Sequence, residues 1–169
     1  MSLRVGIAGY GLAGRYFHAP LLKGCGFEVV AIQTSNHERS AHALADFPKT
    51  TVVSTIEELV AQQLDLVVVA SANLVHAKHA LAAINAGIPV VVDKPMGRTL
   101  AETREIVNAG ESAGVGVCTF FNRRWDSDAL TIKKVLASGV LGEVHRIDSR
   151  FERFRPELNA TSWRENMSA

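Results

Sequence analysis

The chain has 169 residues, a formal net charge of +1, 47% hydrophobic and 21% charged residues. That length allows one domain with a substantial core and part of a second, in a composition ordinary for a globular protein. The near-neutral balance gives no electrostatic reason to expect nucleic acid or an anionic membrane as partner, and no apolar run approaches the roughly 20 residues that cross a bilayer.

The first element is a strand over 3–8. Its apolar core is far too short for a signal peptide and runs straight into glycines, so a cytoplasmic location is expected. Gly9, Gly11 and Gly14 then form a Gly-x-Gly-x-x-Gly turn, with Leu12 and Ala13 inside it, opening a helix over 12–23. The pattern alone is weak, and its context supplies the weight: a strand before, a helix after, and a strand–helix series behind it. The first glycine permits a tight turn, the second lets backbone approach a pyrophosphate, and the third lets helix pack on strand. The helix N-terminus then offers free N–H groups and a positive dipole end to the phosphates.

A second strand over 28–33 runs into Gln33, Thr34, Ser35 and Asn36, with Arg39 close behind. A site that prefers NAD carries an acid here for the ribose hydroxyls. This one has none, and hydroxyls beside a guanidinium suit the 2′-phosphate of NADP. NADP is therefore expected ahead of NAD, while Ser35 and Asn36 can also cap the helix expected over 36–45. A strand over 51–53, a helix over 55–62 and a strand over 65–70 follow. Ser71, Asn73 and His76 come next, at the carboxyl end of a strand where ligands of open α/β sheets bind. Asn73 either faces the cofactor or caps the helix over 73–86. No metal site is expected, because His76 and His79 have no further ligand nearby.

The fifth strand, 89–92, ends in Asp93-Lys94-Pro95. A lysine that terminates a buried strand stands over the crevice, where it can hydrogen-bond a substrate hydroxyl and favour its deprotonated form. Thr99 and Glu102 have the spacing of a capping box for a helix over 99–113, and Gly87 and Gly114 suit left-handed helix ends. A strand over 115–120 completes six strand–helix units. Near-continuous apolar runs such as VVVA mark strands covered on both faces, so the fold class is α/β, a doubly wound parallel sheet of the Rossmann kind. The distant Cys25 and Cys118 match no metal or redox spacing and read as buried, reduced thiols ahead of a disulfide.

After Phe121 the texture becomes polar and basic, NRRWDSD, and a domain boundary is placed there: 1–121 for the nucleotide-binding domain, 122–169 for the start of a second, α+β domain. This part carries a helix pattern over 129–137 and an alternating stretch over 144–154, VHRIDSRFERF, which reads as an antiparallel strand.

The series GYGLAG, SAN-x-x-H, DKP, FFNRRWDSD, GVLGEV and RFERFRPE resembles the Gfo/Idh/MocA oxidoreductases over essentially the whole chain, and within them a branch of NADP-dependent scyllo-inositol dehydrogenases. The resemblance implies hydride transfer between NADP or NAD and a hydroxyl carbon of a polyol or sugar, with no nucleic acid or membrane as partner, and association into a homo-oligomer through the second domain. It implies a cofactor-side role for Asn73 and His76, with Ala72 where the family has proline. It further assigns Lys94 a catalytic and cofactor-side role, and places Asn122, Arg123, Arg124, Trp163 and Arg164 near nicotinamide and substrate. The family's Asp and His, the latter its proton acceptor, match nothing before Ala169, so the 169-residue chain is expected to bind nucleotide without turning substrate over. A second reading is a non-catalytic NAD(P)-binding sensor, which would have no need of Lys94.

Overall fold

A computed structural model of the chain describes residues 2–154, 156 and 157. Six strands, β1 (Arg4–Ala8), β2 (Glu28–Gln33), β3 (Thr51–Val53), β4 (Leu66–Val69), β5 (Val90–Asp93) and β6 (Val117–Phe120), form one sheet of order β3-β2-β1-β4-β5-β6. Every pairing is parallel. The helices are α1 (Ala19–Gly24), α2 (His37–Asp46), α3 (Ile56–Val60), α4 (His76–Asn85), α5 (Leu100–Ala113) and α6 (Ser127–Ala137). All six expected strands are present, because the sheet is covered on both faces and its sequence is apolar at consecutive positions. Val67 and Val69 of β4 pack into a core with Leu59 of α3, Ala83 of α4 and Ile106 of α5. Val68 points the other way, joining Ile7, Ile32, Leu22 of α1 and Ala43 of α2. Each such side chain contributes roughly 1.5–3 kcal/mol by leaving water.

Several local expectations change. The helix beginning at Leu12 is not uniform, since Gly14–His18 is a π-helical turn that passes into α1. Thr99 caps α5 by accepting the Glu102 N–H, but the Glu102 carboxylate does not return to Thr99. It accepts the Arg98 N–H at 2.7 Å and the Arg98 guanidinium at 2.6 Å, because an arginine one residue earlier offers it a charge as well as an N–H. The reciprocal capping box occurs instead at Thr55 and Glu58 of α3. Gly87 and Gly114 take left-handed backbone as expected, with φ of 73° and 67°. Cys25 and Cys118 are free but exposed, not buried: one follows the last turn of α1, and the other lies on the edge strand β6.

The chain divides into two compact units, Met1–Arg123 and Arg124–Ala169. In the second, α6 is followed by turns at Gly139 and Gly142, both with positive φ. The strand expected over 144–154 is not formed. Alternation selects a face, but a strand also needs a ladder partner, and none of the described residues after Phe120 is in a strand. Leu141, Val144 and Ile147 instead line an apolar cleft with Ile132, Val135 and Leu136 of α6. Among the described residues no helix is long and apolar enough to cross a membrane.

One titration follows from the packing of α4. His79 is 8% exposed, its Nδ1 has no hydrogen-bond partner among the described residues, and burial, aided by Lys78 and His76, lowers its pKa to about 4. In the unfolded chain the ring regains its ordinary value of 6.5. The folded state therefore refuses a proton that the unfolded state accepts, so this stability is present above pH 6.5 and lost as pH falls towards 4. Urea unfolding at neutral and acid pH should show His79→Leu losing less stability than the parent, by up to roughly 3 kcal/mol. Parallel pH profiles would show that His79 is not the group responsible.

Candidate nucleotide-binding site

The sheet order reverses between β1 and β4, where successive crossovers run in opposite directions and a crevice opens beyond the strands' carboxyl ends. The glycine turn follows β1 at that point. Gly9 has φ of +96° and its N–H donates to the Gln33 carbonyl at 2.9 Å, tying the turn to the end of β2. A Cβ on Gly9 would lie 2.5 Å from the Ser71 Cα, so the turn after β1 and the turn after β4 meet backbone to backbone. A Cβ on Gly14 would strike the Gly9 carbonyl. Gly11 is open by contrast, and the nearest atom to its Cβ position is the Arg39 guanidinium, at 3.7 Å.

The first hydrogen bond into the following helix is from Arg15 N–H to the Gly11 carbonyl at 2.9 Å. The N–H groups of Leu12 and Ala13 thus lie in the first turn, where no helical carbonyl precedes them. Neighbouring side chains stiffen this end. Tyr10, 1% exposed, donates its hydroxyl to Asp46 at 3.0 Å, and Arg15 pairs with the same carboxylate at 2.8 Å. Burial and the Asp46 carboxylate keep the Tyr10 phenol protonated far above its ordinary range, while the Arg15 guanidinium holds Asp46 below its own. Tyr10 and Asp46 were not legible as part of the turn: they are 36 residues apart, and no spacing rule links them.

At the end of β2 the candidate residues divide. Thr34 is buried, and its hydroxyl accepts the Asn36 N–H at 3.3 Å. Asn36 is the N-cap of α2, accepting the Arg39 N–H at 2.9 Å. Both are occupied in shaping the turn. Ser35 and Arg39 are exposed, and among the described residues the Arg39 guanidinium takes no acidic partner. The cap sets Arg39 in the first turn of α2, from which its side chain reaches back to Gly11.

Across the crevice, Ser71 Oγ is buried without a partner among the described residues. Asn73 starts a 3₁₀ turn, Asn73–Val75, and neither that turn nor α4 receives a side-chain cap, so the capping role weighed for Asn73 is not taken. His76 is placed differently from a residue that touches a ligand. It is 1% exposed, with Nδ1 2.8 Å from the Pro95 carbonyl and Nε2 3.0 Å from the Ser71 carbonyl. A ring nitrogen that carries a proton donates to the carbonyl it faces, so this imidazole, set between the turns after β4 and β5, ties down whichever carbonyl faces its N–H. Lys94 lies in the second of these turns, exposed, before a cis peptide bond to Pro95. Asn122 is half-buried in a 3₁₀ turn, Asn122–Trp125, whereas Arg124 belongs to the second unit. Trp163 and Arg164 lie outside the described residues. Among the described residues no cluster of three or more His, Cys, Asp or Glu could hold a metal ion.

A cradle too tight for Cβ atoms at Gly9 and Gly14, first-turn N–H groups, an unpartnered buried hydroxyl and an unpaired guanidinium together fit the phosphates and adenosine ribose of a dinucleotide. Known proteins agree with that chemistry. The model of the Gfo/Idh/MocA oxidoreductases, described as an oxidoreductase family with an NAD-binding Rossmann fold, matches residues 3–121. The uncharacterized oxidoreductase YdgJ of Escherichia coli (strain K12) is 45% identical, over 97% of this chain and 47% of its own length. The scyllo-inositol 2-dehydrogenase (NADP(+)) IolW of Bacillus subtilis (strain 168) is 39% identical, over 97% of this chain and 45% of its own. The solved structure of yvaA from Bacillus subtilis superposes with a TM-score of 0.88 at 38% identity, covering 95% of this chain and 47% of that one. The chain thus spans about half the length of the curated relatives it matches.

Proposed function

The chain belongs to the Gfo/Idh/MocA family of NAD(P)-binding oxidoreductases, and from that premise we propose that it binds NADP in preference to NAD and serves hydride transfer at a hydroxyl carbon of a polyol or sugar. The observation that carries the cofactor preference is the Arg39 guanidinium lying unpaired against Gly11, beside a β2 end that bears no acid. The name of the relative IolW, an NADP(+)-dependent scyllo-inositol 2-dehydrogenase, supports both the cofactor and the substrate class.

In this reading the N–H groups of Gly11, Leu12 and Ala13 hold the pyrophosphate, and Ser35 and Arg39 hold the 2′-phosphate. Thr34 and Asn36 shape their turn. Ser71 and Asn73 line the crevice, and His76 keeps its walls in place. Lys94 orients the substrate hydroxyl and stabilises the oxyanion as its proton leaves. The bound nicotinamide supplies the hydride acceptor. Asn122, at the end of the first unit, approaches the nicotinamide, and the protein works as a cytoplasmic homo-oligomer. Residues 1–121 make up its nucleotide-binding domain, and residues 122–169 begin the substrate domain that holds the proton acceptor. Lys94 favours the enzyme over a non-catalytic sensor, since a sensor has no need of its action on a substrate hydroxyl.

Calorimetric titration with both nucleotides tests the reading. NADP should bind more tightly than NAD, and Arg39→Ala should weaken NADP by about 1–3 kcal/mol, the scale of a hydrogen bond to a charged group, while leaving NAD nearly unchanged. Equal affinities in the parent chain would refute the assignment of Arg39.

A further inference from the structure

His18 is a buried, polar side chain for which the nucleotide site has no use. It ends the π-helical turn Gly14–His18 and is 4% exposed. Its ring stacks on Phe120 of β6, with centroids 4.4 Å apart and planes tilted by 51°. Among the described residues its Nε2 has no hydrogen-bond partner; it stands 3.9 Å from Asp93 Oδ2, too far for a hydrogen bond and within ion-pair range of a protonated ring. Asp93 is the ladder partner of Phe120, so the ring covers the ends of β5 and β6 together. The other oxygen of that carboxylate, Oδ1, accepts the Lys94 N–H at 2.8 Å.

We propose that His18 is a positioning residue for Lys94, acting through the Asp93 carboxylate that it faces. The inference rests on the reading of Lys94 as the substrate-facing amine. Stacking on Phe120 alone would be served by any aromatic ring; the ring nitrogen in addition faces the Asp93 oxygen that the Lys94 N–H does not occupy. Burial pushes the Asp93 carboxyl up, yet His18 and the Lys94 N–H outweigh that effect and hold it below its ordinary value. The titratable groups acting on Asp93 are His18, from the turn after the glycines, and His76, from α4. His76 Nδ1 also lies 2.8 Å from the Pro95 carbonyl. The residues before and after Lys94 are thus each faced by an imidazole, from a different helix. An exposed lysine on a strand end ordinarily samples many rotamers, and fixing the backbone on both sides limits where its ammonium can go.

The test uses the isotopically labelled 169-residue chain, with NMR of the Lys94 amide, the Asp93 carboxyl and both imidazoles, from pH 5 to pH 8. The resonances of the Lys94 amide and the Asp93 carboxylate should move together with those of the His18 ring across the series. His18→Phe, which keeps the stack, should abolish that step and move the Lys94 amide more than any amide of β2 or β3. His18→Gln, which keeps an N–H, should restore the amide position. NADP affinity, measured alongside, should not change. A Lys94 amide whose resonance follows only the His76 ring, or that ignores both substitutions, overturns the proposal. Should His18→Phe fail to fold, the titration of the unsubstituted chain decides by itself. If that chain binds no NADP, the functional reading fails separately, since the coupling of His18 to Lys94 is measured without nucleotide.

Discussion

Gly14→Ala is expected to destabilise the chain by at least roughly 3 kcal/mol, at or beyond the upper end for forced overpacking, and to abolish NADP binding. The added Cβ would fall on the Gly9 carbonyl oxygen. Neither partner can yield. Gly9 is pinned by its N–H to the Gln33 carbonyl at 2.9 Å and backed by Ser71, whose Cα lies 2.5 Å from the Gly9 Cβ position. Relief therefore requires the helix to lift from β1, which opens the turn and displaces the first-turn N–H groups. Gly24→Ala is the control, because nothing lies within 4 Å of its Cβ position and its φ is not positive. As a helix residue it should gain up to about 1 kcal/mol. Urea unfolding and calorimetric titration of both variants decide the matter. A Gly14→Ala chain with parental stability and NADP affinity would mean that the turn does not cradle phosphate in this way.

Lys94→Ala should lower kcat by roughly 10²–10⁴, the range for a group that assists proton transfer, in a polypeptide that carries this chain together with a complete substrate domain. The relatives, about twice as long, indicate what such a polypeptide comprises. NADP affinity should change little. Lys94 follows β5, whereas the phosphate turn follows β1, and β4 lies between them. Steady-state rates with a panel of inositols and sugars, read from nicotinamide absorbance, give kcat, and titration gives the dissociation constant. Wild-type turnover in the variant would make Lys94 a structural residue and remove the chemical role proposed for it.

The sequence determined, by itself, everything that depends on near neighbours along the chain. The six strands were legible because a sheet buried on both faces demands apolar residues at consecutive positions, as in β4 and β5. The phosphate turn was legible because three glycines between a strand and a helix answer steric demands made within a few residues. Asn36 as N-cap and Gly114 as helix end are equally local. Only the tertiary structure decided what crosses elements. It set the Arg39 guanidinium against Gly11, tied Tyr10 and Arg15 to Asp46, and spent the His76 ring on two carbonyls. It also brought His18 onto Phe120 and Asp93, which are remote in sequence and adjacent only because β5 pairs with β6. The stretch 144–154 marks the boundary from the other side. Its alternation is a local property, but the hydrogen bonds of a strand come from a second chain segment, and no pattern within those eleven residues can supply one.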